Sequence, residues 1–209
     1  MFFKRLVLEP FETNSYLIKT EDVAMVVDPA VCTDEMIEFL NLSEGEKLIL
    51  LTHSHFDHIG GAKELRDKTG SQIAVHQLDA NGTDDMTLNL SSYFGFPISS
   101  FKADIFLNDG DILSFNNTEI KVIHTPGHTI GSVCYIIENL LISGDTLFEM
   151  TIGRTDFPGG NVEEIRRSLN KLSKLDEGLK VCSGHGEITS LGREKRNNPF
   201  LKESSNEFM

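Results

Sequence analysis

LILLTHSHFDHIGG, residues 48–61, decides the reading of this chain. The apolar run at 48–51 reads as a buried strand. It leads directly into three histidines and an aspartate within six residues. Ionisable groups crowded at the end of a sheet cost stability unless something binds between them. In extended backbone, residues two apart share a face, so His53 and His55 can converge on one ion. A helix is expected over 57–68, and where the chain turns into it, Asp57 and His58 aim elsewhere and can serve a neighbouring ion. Gly60 and Gly61 let the start of that helix approach other backbone closely. The alternative, Asp57 as a helix cap among solvated histidines, does not account for a spacing that matches at four positions at once.

Three further stretches complete the set. VIHTPGHTIGS (122–132) ends a strand near His124 and presents His128 from a Pro-Gly turn. LISGDTLF (141–148) delivers Asp145 at the end of another apolar strand, and VCSGHGEIT (181–189) delivers His185 after a third. Five of the seven histidines thus fall at strand ends. His124 sits in an apolar run and reads as core or as a support behind the ligands, and His76 reads as a surface residue between a strand and a helix. The ligands divide into His53, His55 and His128 on one side and Asp57, His58 and His185 on the other, with Asp145 bridging. Nitrogen and oxygen donors of this kind suit two divalent ions, zinc first, with iron or manganese as alternatives. Two ions about 3.5–4 Å apart acidify a shared water and polarise an electrophile's oxygen. Asp57 can also orient the nucleophile or take its proton. Asp28, in VVDP, is either a group that holds an imidazole from behind or a turn residue before Pro29.

The bulk properties agree. A chain of 209 residues can form one domain, expected over 1–209, that buries about 70% of its unfolded surface. The net charge is −13, from 32 acidic and 19 basic residues, which disfavours nucleic acid and anionic membranes as partners. No apolar run reaches a membrane-spanning length and no signal segment is evident, so a cytoplasmic location is the default expectation. Cys32, Cys134 and Cys182 lack disulfide or zinc spacing and read as small core residues. Of the three, Cys182 is the one whose position near His185 leaves a catalytic thiol open.

Strands are expected at 2–8, 15–19, 23–27, 47–51, 72–75, 119–124, 132–137, 140–143 and 179–182, and further helices at 34–41 and 162–175. Residues 81–101 read as a long loop or loosely helical excursion of the kind that covers sites. Two runs of strands, each closed by helices, predict an α/β protein: a four-layer αββα sandwich of two mixed sheets packed face to face, built from two similar halves.

The four motifs, in this order from Asp28 to His185, resemble the metallo-β-lactamase superfamily. The resemblance implies the αββα sandwich, with a metal site along one edge of both sheets. Its best-known zinc β-lactamases carry cysteine where this chain has Asp145, which speaks against that activity. Its flavo-diiron members carry an acid at the place of His55, and its nucleases need an added domain or a basic arm. TIGRTDFPGG (151–160) is similar to glyoxalase II, its short bacterial relatives and the persulfide dioxygenases. In glyoxalase II the basic residue at the place of Arg154 contacts glutathione, and an aromatic stands where this chain has Asp156. The ending GREKRNNPFL (192–201) is nearest to the short relatives. The expected activity is a binuclear metallohydrolase of small thioesters or esters such as S-lactoylglutathione, with Asp57 and Asp145 at the catalytic centre. Arg154 would clamp a substrate carboxylate; its alternative is a surface pair with Asp156. A mononuclear iron persulfide dioxygenase, a lactonase and a metal-stabilised binding module are the competing expectations.

Overall fold

A computed structural model of the chain describes residues 1–206, with side chains as far as residue 202; the domain end expected at 209 lies outside the described residues. The first sheet runs in order β1 (Phe2–Leu8), β2 (Thr13–Lys19), β3 (Val23–Val27), β4 (Glu46–Leu50), β5 (Gln72–His76), β6 (Ile105–Leu107). β1 to β3 are antiparallel and β3 to β6 parallel. The second sheet holds β7 (Ile112–Phe115), β8 (Thr118–His124), β9 (Val133–Ile137) and β10 (Leu140–Gly144) in antiparallel sequence. A small hairpin of β11 (Leu147–Phe148) and β12 (Thr151–Ile152) interrupts the chain before β13 (Lys180–Ser183), which runs parallel to β10, and β14 (Thr189–Ser190) closes the far edge. Each large sheet is therefore mixed and built from one contiguous half of the chain.

Three apolar layers make the sandwich. Between the sheets lie Tyr16, Ile18, Met25, Leu48, Leu50, Ile120, Val122, Tyr135 and Ile142. The alternate residues of the same strands, Leu17, Val26, Ile49 and Ile73, face α1 (Asp34–Asn41) and α3 (Ala62–Thr69) through Met36, Leu40 and Leu65. On the other side Cys134, Leu141 and Val181 meet α5 (Val162–Ser173), α6 (Leu191–Asn197) and α7 (Pro199–Asn206) through Leu169, Leu172, Leu191 and Leu201. Strands buried on both faces read as continuous apolar runs, which is why LILL does not alternate.

α1 and α5 start where the sequence supplies side-chain caps. Thr33 accepts from the Met36 N–H, and Asn161 accepts from Glu163 and Glu164, each satisfying amide donors that the first turn leaves free. The single helix expected over 57–68 is in fact two: α2 (Phe56–Ile59) and α3. The break is at Gly60-Gly61, where the Gly61 N–H donates to Pro29 O at 2.8 Å. Residues 80–101 form short turns around α4 (Ser91–Phe94), as a loosely helical excursion. β6, β7, the 147–152 hairpin, β14 and the last two helices were not among the expected elements. No helix among the described residues is long and apolar enough to cross a membrane.

Ile142 lies between the sheets at 1% exposure, whereas Leu42 ends α1 at 71%. Ile142→Ala should lower unfolding free energy by about 2–5 kcal/mol and Leu42→Ala by no more than about 0.5 kcal/mol. Urea midpoints of the two variants against the parent protein check this.

Candidate metal centre

Strand ends bring the side chains together. His53 and His55 leave the end of β4, Asp57 and His58 ride on α2, and His128 comes from the β8–β9 turn. Asp145 follows β10 and His185 follows β13. All seven expected ligands meet at one edge of the sandwich. Nitrogens of His53, His55 and His128 lie within 4.8 Å of one another, and so do ligand atoms of Asp57, His58 and His185. Asp145 spans both groups. Its Oδ2 is 3.5 Å from His128 Nε2 and 3.7 Å from His185 Nε2, while its Oδ1 is 3.5 Å from His58 Nε2.

The imidazoles are held from behind. His58 Nδ1 donates to Asp28 Oδ2 at 2.9 Å, and Asp28 also accepts from the Thr52 N–H and hydroxyl at 2.8 and 2.6 Å. Asp28 therefore has its oxygens engaged and acts through His58, the supporting role rather than the plain turn. His128 Nδ1 donates to Arg154 O at 2.8 Å, and His53 Nδ1 is 3.0 Å from Thr52 Oγ1. Such partners fix each ring's orientation; the opposite nitrogens meet within the cluster, His128 Nε2 2.9 Å from His55 Nδ1 and His58 Nε2 3.3 Å from His185 Nε2. Gly184 stands so close to Asp145 Oδ1 and His58 that a Cβ there would collide with both.

Whether these residues fit a bound metal can be tested on their unmet valences. Among the described residues, the fully buried side-chain polar atoms without a hydrogen-bond partner are Thr13 Oγ1, His53 Nε2, His55 Nε2 and Asp145 Oδ1. Three of the four belong to this cluster. Buried polar atoms are nearly always paired, so the cluster is completed by something that accepts lone pairs, and a divalent cation meets that need.

The two halves differ in charge. Burial, then the neighbouring rings, push His53 and His55 well below the usual imidazole range. Burial also opposes charge on His58, but Asp145, Asp57 and Asp28 outweigh it and raise the ring to about 10. His185 is likewise raised, its burial overcome by the hydrogen bond it donates to Asp57 and by the charge of Asp145. Against the pull of burial, His58 and His185 hold the Asp57 carboxyl below its ordinary value.

One further group was not foreseen. Asp79, 4% exposed, accepts from the Ser54 N–H at 2.9 Å, the Thr129 hydroxyl at 2.8 Å and the Gly131 N–H at 2.8 Å. It ties the loop carrying His53 and His55 to the loop carrying His128. Its only sequence signal is a carboxylate three residues after a strand, which a turn explains as readily.

His76 and His124 take no part. Their rings stack on each other at 4.2 Å, away from the cluster. His76 is 3% exposed, a correction to its expected surface position; burial and then His124 lower it to about 4. His124 is half-exposed with its Nε2 2.9 Å from Ile130 O, so it neither fills the core nor supports a ligand. Cys182 packs in the intersheet core with its thiol pushed up to about 12 by burial, so it is not a nucleophile. Arg154 lies on the rim, its guanidinium donating to both oxygens of Asp156 at 2.7 and 2.6 Å.

Comparison with known proteins agrees with this geometry. The metallo-beta-lactamase superfamily model matches residues 8–185, and the chain belongs to that superfamily. It is 36% identical to the "Probable metallo-hydrolase YqgX" of Bacillus subtilis over 206 residues, 96% of this chain and 98% of that one. It is 35% identical to the "Hydroxyacylglutathione hydrolase GloC" of Haemophilus influenzae, covering 93% and 95%. Among solved structures it superposes on the BLEG-1 B3 metallo-beta-lactamase with a TM-score of 0.88 at 39% identity, covering 96% and 99%. The protein is thus of the metallohydrolase class.

Two predictions follow from the halves and their clamp. Below about pH 10 His58 carries a proton that an incoming cation must displace, whereas His53 and His55 are neutral above about pH 6.5. Zinc titrated into metal-free protein at pH 8 should release at least one proton for the ion entering the Asp57–His58–His185 half, with His58 the main source. Its affinity there should rise about tenfold per pH unit. Neither His53 nor His55 should contribute a proton. Calorimetry in buffers of different ionisation enthalpy reads both. Asp79→Ala should leave the Ser54 and Gly131 amides unpaired at about 1–3 kcal/mol each, seen as a lowered urea midpoint together with weaker zinc retention in dialysis.

Proposed function

We propose that this protein hydrolyses small thioesters with two divalent cations, zinc foremost, held by His53, His55 and His128, by Asp57, His58 and His185, and by Asp145 between them. The observation that carries this is the set of buried, unpartnered atoms in the cluster, His53 Nε2, His55 Nε2 and Asp145 Oδ1. In such a site two divalent ions supply an acidified water and an electrophilic contact for a carbonyl oxygen. The chain's own groups do the rest. Asp57 stays ionised and can accept a hydrogen bond from the attacking water, aiming its oxygen at the acyl carbon. A carbon–oxygen bond forms, the carbon–sulfur bond breaks with its electron pair on sulfur, and the proton lost by water ends on the thiolate or in solvent. Asp28, Thr52 and Arg154 O keep His58, His53 and His128 from turning as charge develops, and Asp79 holds the loops that carry the rings. The reaction takes place at the floor of a cavity of about 390 Å³ in which His55, Asp57, His128, Asp145 and His185 all present atoms.

Thioester cleavage is supported by the likeness to a relative named a hydroxyacylglutathione hydrolase, so S-lactoylglutathione is the first substrate to assay. The likeness to a B3 metallo-beta-lactamase brings β-lactam ring opening back as a second reading, because the same attack on a carbonyl serves both. Protein purified without added metal should hold two divalent ions per chain and cleave S-lactoylglutathione faster than a chromogenic cephalosporin. Asp145→Ala should lose both ions and lower kcat/KM by about 100-fold or more. Unchanged turnover in that variant overturns the reading, and one iron with oxygen uptake on a persulfide replaces hydrolysis with dioxygenation.

A further inference from the structure

The cavity above the cluster has walls of one character. Phe11, Leu90, Phe94, Phe148, Ile152 and Phe157 face it, and Arg154 is the one arginine or lysine among its lining residues. The aromatics form a connected collar. Phe11 meets Phe94 edge-on at 6.5 Å between ring centres, and Phe94 meets Phe157 at 6.0 Å. Phe157 in turn lies 6.1 Å from His55, next to the proposed reacting centre. Phe94 remains 45% exposed, an apolar surface awaiting a partner rather than one buried by the fold.

Arg154 adds no net charge to this wall. Two hydrogen bonds to Asp156 make the pair neutral as a unit, and the guanidinium carbon lies 3.8 Å from the centre of the Phe157 ring. Asp156 is pulled to about 2 by those hydrogen bonds, so the pair is ionised throughout the neutral range. The chain as a whole carries −13. In the metal-free protein an anionic ligand therefore meets apolar rings, a cancelled cation and a chain of net negative charge.

We propose that the substrate is a thioester with an uncharged apolar group seated in the Phe11–Phe94–Phe157 collar, and that Asp156 enforces this choice by neutralising Arg154. This deepens the thioester reading and rests on it. Glutathione thioesters, with two carboxylates and one ammonium on the thiol half, are then cleaved more slowly than neutral thioesters, and Asp156 is a specificity-determining residue. The collar contributes apolar burial; Asp156 contributes discrimination against anions.

The test compares two ligands with the same six-carbon chain, the hexyl thioethers of N-acetylcysteamine and of glutathione. Neither can be hydrolysed, and binding to metal-free protein by calorimetry is independent of turnover. The neutral thioether should bind at least about tenfold more tightly. Phe94→Ala should weaken it by about tenfold, with the far-UV circular dichroism unchanged. Asp156→Asn should leave the neutral ligand unaffected and tighten the glutathione thioether by about fivefold, the scale of one exposed charge pair. The hexanoyl thioesters of the same two thiols, assayed on the metal-loaded enzyme, should show the same preference in kcat/KM. Equal binding of both thioethers, or no gain for the anion in Asp156→Asn, overturns the proposal even if thioesters are cleaved. Correct binding preferences with no cleavage of either thioester would instead sink the hydrolase reading and leave the collar's selectivity standing.

Discussion

Everything at the functional edge follows from the cost of burying ionisable rings side by side. His53, His55, His58 and His128 are each no more than 3% exposed, and an uncompensated charge among them would be expensive. The fold handles this by division. Two rings of the His53 half are forced neutral, while the His58 half is interleaved with Asp28, Asp57 and Asp145 so that positive charge there is matched. A cation entering this edge meets lone pairs on one side and carboxylates on the other. The backbone need not move to receive it, because the partners behind the rings are already in place.

That arrangement is possible only because the two sheets are fastened to each other where their strands end. Tyr16 donates to Ser183 O at 2.6 Å and Tyr135 to Leu51 O at 2.7 Å, each hydroxyl crossing from one sheet to the other. The Val133 N–H donates to Thr52 O, and the Asn14 N–H to Gly184 O. Each of these bonds lands within two residues of a proposed ligand or its support. A slip of one sheet over the other would break them together, so ligand geometry and intersheet packing stand or fall as one.

Much of this was legible because it is periodic or dense. LILL and its sister strands announce themselves by apolar runs, and the H-x-H-x-D-H spacing crowds four of the proposed ligands into six positions. The αββα layering came from element order, since each sheet uses one contiguous half of the chain. Other features are set by contacts between distant segments and leave no local mark. Asp79 stands in HQLDANGT, where turn chemistry accounts for it; its role exists only because Ser54 and Gly131 are folded against it. The break between α2 and α3 follows from backbone passing near Gly61, and periodicity cannot show that. α6 carries too few apolar residues for a clear stripe. It is fixed instead by buried Glu194, which accepts from the Met150 N–H, the Thr189 hydroxyl and the Asn198 amide.

Glu194 also shows how floor and rim are decoupled. The floor residues are bound across sheets and from behind, so a change at one disturbs several others. The rim is different. Phe94 lies in the loosely wound excursion, and Arg154, Asp156 and Phe157 lie in the loop leading to α5. The β11–β12 hairpin that precedes this loop is anchored at its far end, where Met150 meets Glu194. Arg154 joins the two regions through one atom only: its backbone carbonyl holds His128, while its side chain turns outward to Asp156. Replacing that side chain leaves the carbonyl in place. Selectivity on this scaffold can therefore change through rim side chains while the geometry that performs the chemistry is preserved, which is what a superfamily joining thioester and β-lactam names on one fold requires.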